Sequence, residues 1–368
     1  MDNDLIYKIA LTKVPLVGSV IAKSLISYCG GVKEVFTKPL SILKKAPGVG
    51  DIVANNIKRF NGFDEIEVDI SFLENQNISS SFFLDKEYPY RLKNIADSPI
   101  MLYSKGDSIF SQDKIISIVG TRKMTDYGRQ FVSQLVEDLV PYNPVIVSGL
   151  AYGVDVWSHK QALKHNLKTS AVLAHSLDRI YPSVHTNVAR DMVQSGGSLV
   201  SEFIKDAKPD RENFPKRNRI VAGLSDVVIV VESDVKGGSL ITAELANQYN
   251  RDVMALPGSI HNKFSRGCNY LLKNHKANVI EDVSDLIKLM NWDVKPTPQI
   301  QPKLLLDLTE DQQKIVEIFR GENEPIAIDI LTSKLQIPSS SLAISLLELE
   351  INNIITTLPG KRYRLLGR

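Results

Sequence analysis

The chain has 368 residues, 43% of them hydrophobic, with 44 Lys and Arg against 42 Asp and Glu for a net charge of +2. That length predicts two or three domains. The composition excludes an intrinsically disordered chain, and the near-zero balance means that any nucleic-acid surface must come from local clustering. Two cysteines, Cys29 and Cys268, fall in different predicted domains. They give neither a metal-ligand spacing nor a disulfide framework, so no metal is expected and a cytoplasmic location fits. Met1-Asp2-Asn3-Asp4 is acidic and lacks a signal-peptide pattern. No apolar run approaches the ~18 residues of a membrane span, so no membrane partner is expected.

Residues 1–61 read as a small all-α domain of the helix-hairpin-helix kind. Leu11-Thr12-Lys13-Val14-Pro15-Leu16-Val17-Gly18-Ser19 and Leu43-Lys44-Lys45-Ala46-Pro47-Gly48-Val49-Gly50-Asp51 are related segments, each followed by an apolar run. Hairpins of this type can hold a DNA phosphate on backbone N–H groups without reading sequence. They serve equally as compact packing units. The second matches the pattern well, and the first departs from it at Leu16. Between Gly62 and Gly106, the pieces Phe82-Phe83-Leu84, Tyr88–Leu92 and Ile100–Tyr103 predict short extended segments that add edge strands to the main sheet.

Residues 62–290 carry the main α/β pattern. Ile115-Ile116-Ser117-Ile118-Val119-Gly120 is a short β-branched run ending in glycine, as expected of a strand buried on both faces of a parallel sheet. Thr121-Arg122-Lys123 come next, then a capped helix with Phe131 to Val140 as its amphipathic part. Val145–Gly149 is a second strand, Leu150-Ala151-Tyr152-Gly153 its exit loop and Val154–His165 the next helix. Further strands are expected at Thr169–Ala174, Ser198–Glu202, Asp226–Glu232, Asp252–Leu256 and Ala277–Ile280. Alternating strands and helices give a doubly wound, Rossmann-like α/β sheet.

Such a sheet gathers its strand-exit loops along one edge, where ligands bind. Here the edge collects Gly120-Thr121-Arg122, Gly149 to Gly153, Ser201-Glu202 and Lys236-Gly237-Gly238-Ser239. Small residues admit a close backbone approach, helix N-termini suit phosphate, and Arg122 and Lys236 add full positive charges. Three glycine-bearing loops on one edge predict an anion site, although each glycine alone requires only a tight turn. No loop reads G-x-G-x-x-G or G-x-x-x-x-G-K-[ST], so no dinucleotide or ATP cofactor is expected.

Lys205 to Arg219 is the most informative insertion. Pro209 and Pro215 interrupt regular structure, and Arg217 to Leu224 reads as a helix with Ile220, Val221 and Leu224 on one face. Lys216, Arg217 and Arg219 sit at its start, where cations oppose the macrodipole at a cost of a few tenths of a kcal/mol or more. A bound polyanion would compensate. With Phe214 beside them, these residues have the composition of a single-strand binder, in which charge follows the backbone and the ring stacks a base. The alternative is a core Phe214 with a solvated cationic rim.

Residues 291–303, with Pro296, Pro298 and Pro302, predict a proline-rich linker. In 304–368, Thr309 and Gln312 form a capping-box pair that opens a helix with Ile315, Ile318 and Phe319 on its apolar face. Two more helices come at Ile326–Leu335 and Ser339–Asn352, and then a hairpin with Pro359-Gly360-Lys361-Arg362 at a basic tip. Three helices and a hairpin resemble a winged helix. The third helix is acidic and apolar, poorly suited to a major groove, so a packing or protein-interaction role is expected, with Lys361 and Arg362 left to touch phosphate.

Taken in order, Val119-Gly120-Thr121-Arg122, Ser148 to Asp155, Asp178-Arg179-Ile180-Tyr181-Pro182, Phe214-Pro215-Lys216-Arg217-Asn218-Arg219, Gly237-Gly238-Ser239 and Leu256-Pro257-Gly258 resemble the DNA-processing protein A family (DprA, also called Smf). The likeness spans about residues 85 to 288. It implies an extended Rossmann domain, a non-catalytic protein that binds single-stranded DNA without sequence preference, a homodimer, and loading of the recombinase RecA onto incoming DNA that is protected during natural transformation. It puts Gly120, Thr121 and Arg122 at a DNA phosphate with Gly149 and Ala151 beside it, Phe214 against a base, and Arg217, Asn218, Arg219 and Lys236 along the strand. Lys216, Gly238 and Ser239 complete the expected DNA-binding set. The sequence departs from the family at Ala174-His175-Ser176-Leu177, where many members have glycine.

An enzymatic alternative comes from Lys236-Gly237-Gly238-Ser239-Leu240-Ile241-Thr242-Ala243-Glu244. It is similar to the P-G-G-x-G-T-x-x-E loop of nucleotide phosphoribohydrolases, with Glu244 at the spacing of their catalytic Glu. Leu240 and Ile241 replace the Gly-Thr of the phosphate cradle, which opposes that reading.

Overall fold

The computed structural model describes residues 4–292, 308–322, 324–352 and 354–366. Among these, nine strands form the main sheet: β1 (Ser79–Phe82), β2 (Met101–Gly106), β3 (Ile115–Val119), β4 (Val145–Ser148), β5 (Thr169–Val172), β6 (Ser198–Ser201), β7 (Val227–Val230), β8 (Asp252–Ala255) and β9 (Asn278–Val279). Their spatial order is β1-β2-β6-β5-β4-β3-β7-β8-β9. From β6 to β9 every neighbouring pair is parallel, whereas β1 and β2 add an antiparallel edge. The parallel part starts at β3, winds outward through β4, β5 and β6, then returns to the other side of β3 for β7. The order therefore reverses between β3 and β7, and a crevice opens at their carboxyl ends.

Residues along each central strand alternate between two cores. Ile115, Val119, Val145, Val147, Val228 and Val230 share one, and Ile116, Ile118, Ile146, Val227, Ile229 and Val231 share the other. Every residue of β3 is buried, as expected where helices cover both faces. The polar Ser117 is accommodated because its Oγ donates to the Val221 carbonyl at 2.9 Å. Of the expected edge pieces, Met101–Tyr103 open β2, whereas only Phe82 lies in β1 and Phe83-Leu84 form a turn. Tyr88–Leu92 is not extended: Pro89 precedes a short helix, Tyr90–Lys93, Tyr88 Oη donates to the Pro99 carbonyl at 2.6 Å, and Arg91 turns inward.

The N-terminal helices Leu5–Lys13, Ser19–Cys29, Asp51–Arg59 and Phe63–Asn75 do not form a separate core. Ile9, Leu25, Val53, Ala54 and Ile66 belong to the same buried cluster as Met101, Tyr103, Leu173 and Leu199 of the sheet. The two hairpins are conformational counterparts. Gly48 has φ +80°, and Leu16, where the sequence departs from the pattern, adopts φ +66°. Val17 and Val49 are both buried.

Beyond the proline-rich stretch, whose residues from 293 on lie outside the described ones, a winged-helix domain has its own core of Ile315, Phe319, Leu331, Leu342, Leu346 and Ile355. The expected capping box forms, with Thr309 Oγ1 accepting from Gln312 N at 3.3 Å and Gln312 Oε1 accepting from Thr309 N at 3.1 Å. The second expected helix is shorter, because Ile326-Ala327 form a strand, β10, before the helix Ile328–Leu335. β10 pairs with β12 (Arg362–Leu365), which pairs with β11 (Ile355–Leu358). Arg362 does not lie at an exposed tip; it is 4% exposed, within β12.

Asp226, 2% exposed, joins distant parts of the chain at the amino edge of the sheet. It accepts from Arg91 Nε and Nη2 at 2.8 Å each, from Ile115 N at 3.0 Å and from Arg362 Nη2 at 2.8 Å. Burial would raise this carboxyl, but the Arg91 and Arg362 guanidiniums and the Ile115 N–H outweigh it and hold it below the ordinary carboxylate value. Asp226→Ala leaves buried guanidiniums uncompensated and should lower stability by about 3–5 kcal/mol at pH 7, read from the urea midpoint. A depressed carboxyl stabilises fully above its unfolded pKa of about 3.9 and loses that contribution as pH falls through its lower folded value. The difference between wild type and variant should therefore be flat down to about pH 4 and shrink below it.

Candidate nucleic-acid interface

Three exit loops meet at the β3/β7 reversal because their backbones bond to one another. Thr121 N donates to the Glu232 carbonyl at 2.6 Å, and Val154 N donates to the Thr121 carbonyl at 3.2 Å. Gly153 makes the second bond possible. Its φ is +78°, and a Cβ there would stand 2.2 Å from the Thr121 carbonyl oxygen. The resulting crevice has a volume of about 320 Å³ and is lined by Gly120, Thr121, Arg122, Gly149, Ala151, Phe214, Arg217, Asn218, Gly238 and Ser239 from the expected set. Asp155, Ser233, Asp234 and Thr242 also line it.

Arg122 and Phe214, from loops far apart in the chain, come together at the mouth. The Arg122 guanidinium stands 5.3 Å from the Phe214 ring centroid. Arg122 is exposed and Phe214 half-buried, so neither is a core residue. Tyr181, 48% exposed, adds a second ring whose centroid lies 6.4 Å from that of Phe214. Lys216, in the first turn of the helix Asn213–Leu224, and Lys236, on the loop after β7, are both exposed beside the crevice. Asn218 Nδ2 donates to the Gly238 carbonyl at 3.3 Å, and Ser239 Oγ donates to Ser233 Oγ at 2.8 Å. The helix Gly238–Gln248 thus presents its first turn to the crevice, with no atom within 4 Å of where a Gly238 Cβ would sit.

The helix with the cationic start runs Asn213–Leu224, four residues longer at its N-terminus than expected, because Pro215 still falls in the first turn. Two of its cations differ from their expected placement along a strand. Arg217 is 4% exposed, and its Nη1 donates to the Gly149 carbonyl at 2.7 Å and to the Val172 carbonyl. Arg219 pairs with Glu202 and donates to the Asp97 carbonyl. Protein acceptors, rather than a polyanion, offset these charges near the positive helix end. Arg217 nevertheless forms the crevice floor, and its buried Nε has no protein partner among the described residues. Burial holds its pKa below the ordinary guanidinium value, and Arg122 acts the same way against Asp155. Asp155 is raised, chiefly by burial, against the pull of Arg217.

The helix Asp126–Asp138 after β3 offers no anion site at its start. Glu232, 1% exposed, already accepts there from Thr125 N at 2.8 Å and Thr125 Oγ1 at 2.5 Å. His175 is packed, 1% exposed, with Nδ1 2.8 Å from the Ser176 carbonyl oxygen. Glu244, on which the enzymatic alternative rests, pairs with Lys276 at 2.6 Å and is not among the residues lining the crevice. Sequence reasoning misses Asp155, Ser233, Asp234 and Tyr181. Of these, only Asp155 and Tyr181 lie inside the motifs that carry the family likeness.

A family model described as DNA recombination-mediator protein A matches residues 79–291, and one described as the DprA winged helix domain matches 297–361. The chain is 31% identical to protein Smf of Synechocystis over 99% of both chains. It is 39% identical to DNA processing protein DprA of Bacillus subtilis over 58% of this chain and 71% of that one. Among solved structures, DprA of Streptococcus pneumoniae superposes with a TM-score of 0.65 at 31% identity, covering 77% of this chain and 97% of that one. DNA processing protein A of Helicobacter pylori, solved for its single-stranded DNA binding mode, gives 0.53 at 34% identity over 59% of this chain and 96% of that one.

The loop junction can be tested without any ligand. Gly153→Ala forces a side chain into a conformation that glycine alone adopts readily, against the Thr121 carbonyl. It should cost about 1–3 kcal/mol or more, seen as a lowered thermal midpoint. Gly238→Ala, with open space around it, should leave the midpoint near that of the wild type.

Proposed function

The chain belongs to the DNA recombination-mediator protein A (DprA/Smf) family of DNA-processing proteins, and we propose that it binds single-stranded DNA across the carboxyl edge of its main sheet without reading base sequence. The observation that carries this reading is the meeting of Arg122 and Phe214 over a crevice of small residues. A guanidinium suits a phosphate, and an aromatic face beside it suits any base. Arg122, Lys216 and Lys236 follow the sugar–phosphate thread, and Phe214 stacks a base. Gly120, Thr121, Gly149, Ala151, Asn218, Gly238 and Ser239 give the backbone close approach and hydrogen bonds. Arg217 and Arg219 act from beneath by holding the Gly149 loop and the Phe214 helix in place. The single-stranded DNA binding mode of the Helicobacter pylori relative supports the same use here.

On the family likeness we further propose that the chain works as a homodimer and hands protected incoming DNA to a RecA-type recombinase during transformation. We propose the division into 1–61, which shares its core with the main sheet, 62–290, a linker at 291–303 and 304–368.

Titration of a labelled oligo-dT at several salt concentrations tests the site. A single strand that neutralises Z phosphates gives a slope of about −0.7Z, so Arg122→Ala should flatten it by about 0.7 and weaken binding. Phe214→Ala should cost about 1–3 kcal/mol with little change in slope. If both variants bind like the parent, the strand runs elsewhere.

A further inference from the structure

The amino edge of the sheet, opposite the crevice, carries a second arrangement that the DNA-binding reading does not use. Arg362 of the C-terminal hairpin reaches Asp226 at 2.8 Å, and the pair is buried, with side chains 4% and 3% exposed. Its Nε donates to the Pro359 carbonyl of its own hairpin at 2.8 Å. Its guanidinium carbon lies 5.1 Å from the Tyr90 ring centroid, and that of Arg91 lies 4.7 Å from the same ring. Next to it, Arg364 Nη1 meets Asp113 Oδ1 at 3.1 Å, at the surface. Tyr90, Arg91, Asp113 and Asp226 all belong to the main α/β domain.

We propose that the amino edge of the main sheet is the docking surface of the chain's own winged-helix domain, with Tyr90 and Asp226 forming a socket for Arg362, and that docking keeps this hairpin off nucleic acid. A winged hairpin ordinarily has its basic residues free for phosphate. Here one carboxylate and one aromatic face take the arginine instead, and Asp113 takes its neighbour. Arg91, Arg251 and Arg362 gather around Asp226, with Asp113 and Asp252 nearby, and Arg251 is pushed down to about 10 by burial and by Arg362. Arg362 Nη1 is buried without a hydrogen-bond partner among the described residues. Removing Arg362 thus relieves like-charge crowding and leaves the bidentate Arg91–Asp226 pair whole, so its loss should release the domain without unfolding the sheet. The strands set the socket and the crevice on the order of 15 Å apart, at ~3.3 Å per residue. Undocking therefore leaves the Arg122–Phe214 site unaltered.

The test uses the full chain with Arg362→Ala, and Tyr90→Ala as a change on the socket side that leaves the hairpin's charge intact. Small-angle scattering should show a larger radius of gyration for both variants. Amide exchange of residues 362–365 should be at least tenfold faster. For Arg362→Ala the affinity for oligo-dT and for a duplex should stay within twofold of the parent with unchanged salt slopes, whereas Tyr90→Ala, which frees the hairpin with its charge intact, should bind a duplex more tightly and with a steeper salt slope. An unchanged radius and exchange rate in both variants overturns the docking. A flattened salt slope in Arg362→Ala alone overturns the exclusion of the hairpin from DNA and makes Arg362 a phosphate contact.

Discussion

The crevice depends on one guanidinium turned inward. Arg217 donates to the carbonyls of Gly149 and Val172, at the ends of adjacent parallel strands, from a helix whose first turn carries Phe214. That geometry explains Gly149, where a Cβ would stand 2.1 Å from Arg217 Nη1. It also explains how a ring on one segment is held beside the Arg122 loop on another. Carbonyl oxygens at strand ends point outward and would face a phosphate unfavourably. An arginine that donates to two of them from the inner side removes that repulsion and leaves positive charge under the site.

Glu232 supplies a complementary constraint. Its backbone carbonyl binds Thr121 N, and its carboxylate closes the start of the helix after β3. The loop after β3 is thus fixed from behind by an acid. The crevice then has charges of both signs within a small volume: Arg122 and Arg217 against Asp155 and Asp234.

Much of this is legible in the sequence, for a local reason. Ile115–Val119 and Val227–Val230 are buried on both faces, so each residue is apolar or small and the run declares itself without knowledge of its partners. The strand-exit glycines are visible as well, although only Gly153, with φ +78°, answers a demand of its own backbone, while Gly120 and Gly149 leave room for Val154 and Arg217. Side-chain destinations are not legible. Arg217, Arg219 and Lys216 lie within four residues, yet two are bound by protein acceptors and one is exposed. A cation near a helix start reads the same whichever acceptor the fold brings to it. Asp226 likewise looks like an ordinary residue before a strand, and its meaning depends on Arg91 and Arg362, each more than a hundred positions away. The Tyr88–Leu92 segment misleads because Arg91 turns inward to that same partner.

The shared core of the N-terminal helices and the sheet bears on how the chain comes to be made. Ile9, Leu25 and Ile66 leave the ribosome before the face they cover, which includes Leu173 and Leu199. At about 5–20 residues per second, that face is complete only some 6–25 s after Asn75 has been polymerised. During that interval the early helices carry uncovered apolar surface, and a molecule shortened from its beginning would carry the reciprocal uncovered surface permanently. The segment of residues 5–75 is therefore better regarded as the closing layer of the central domain.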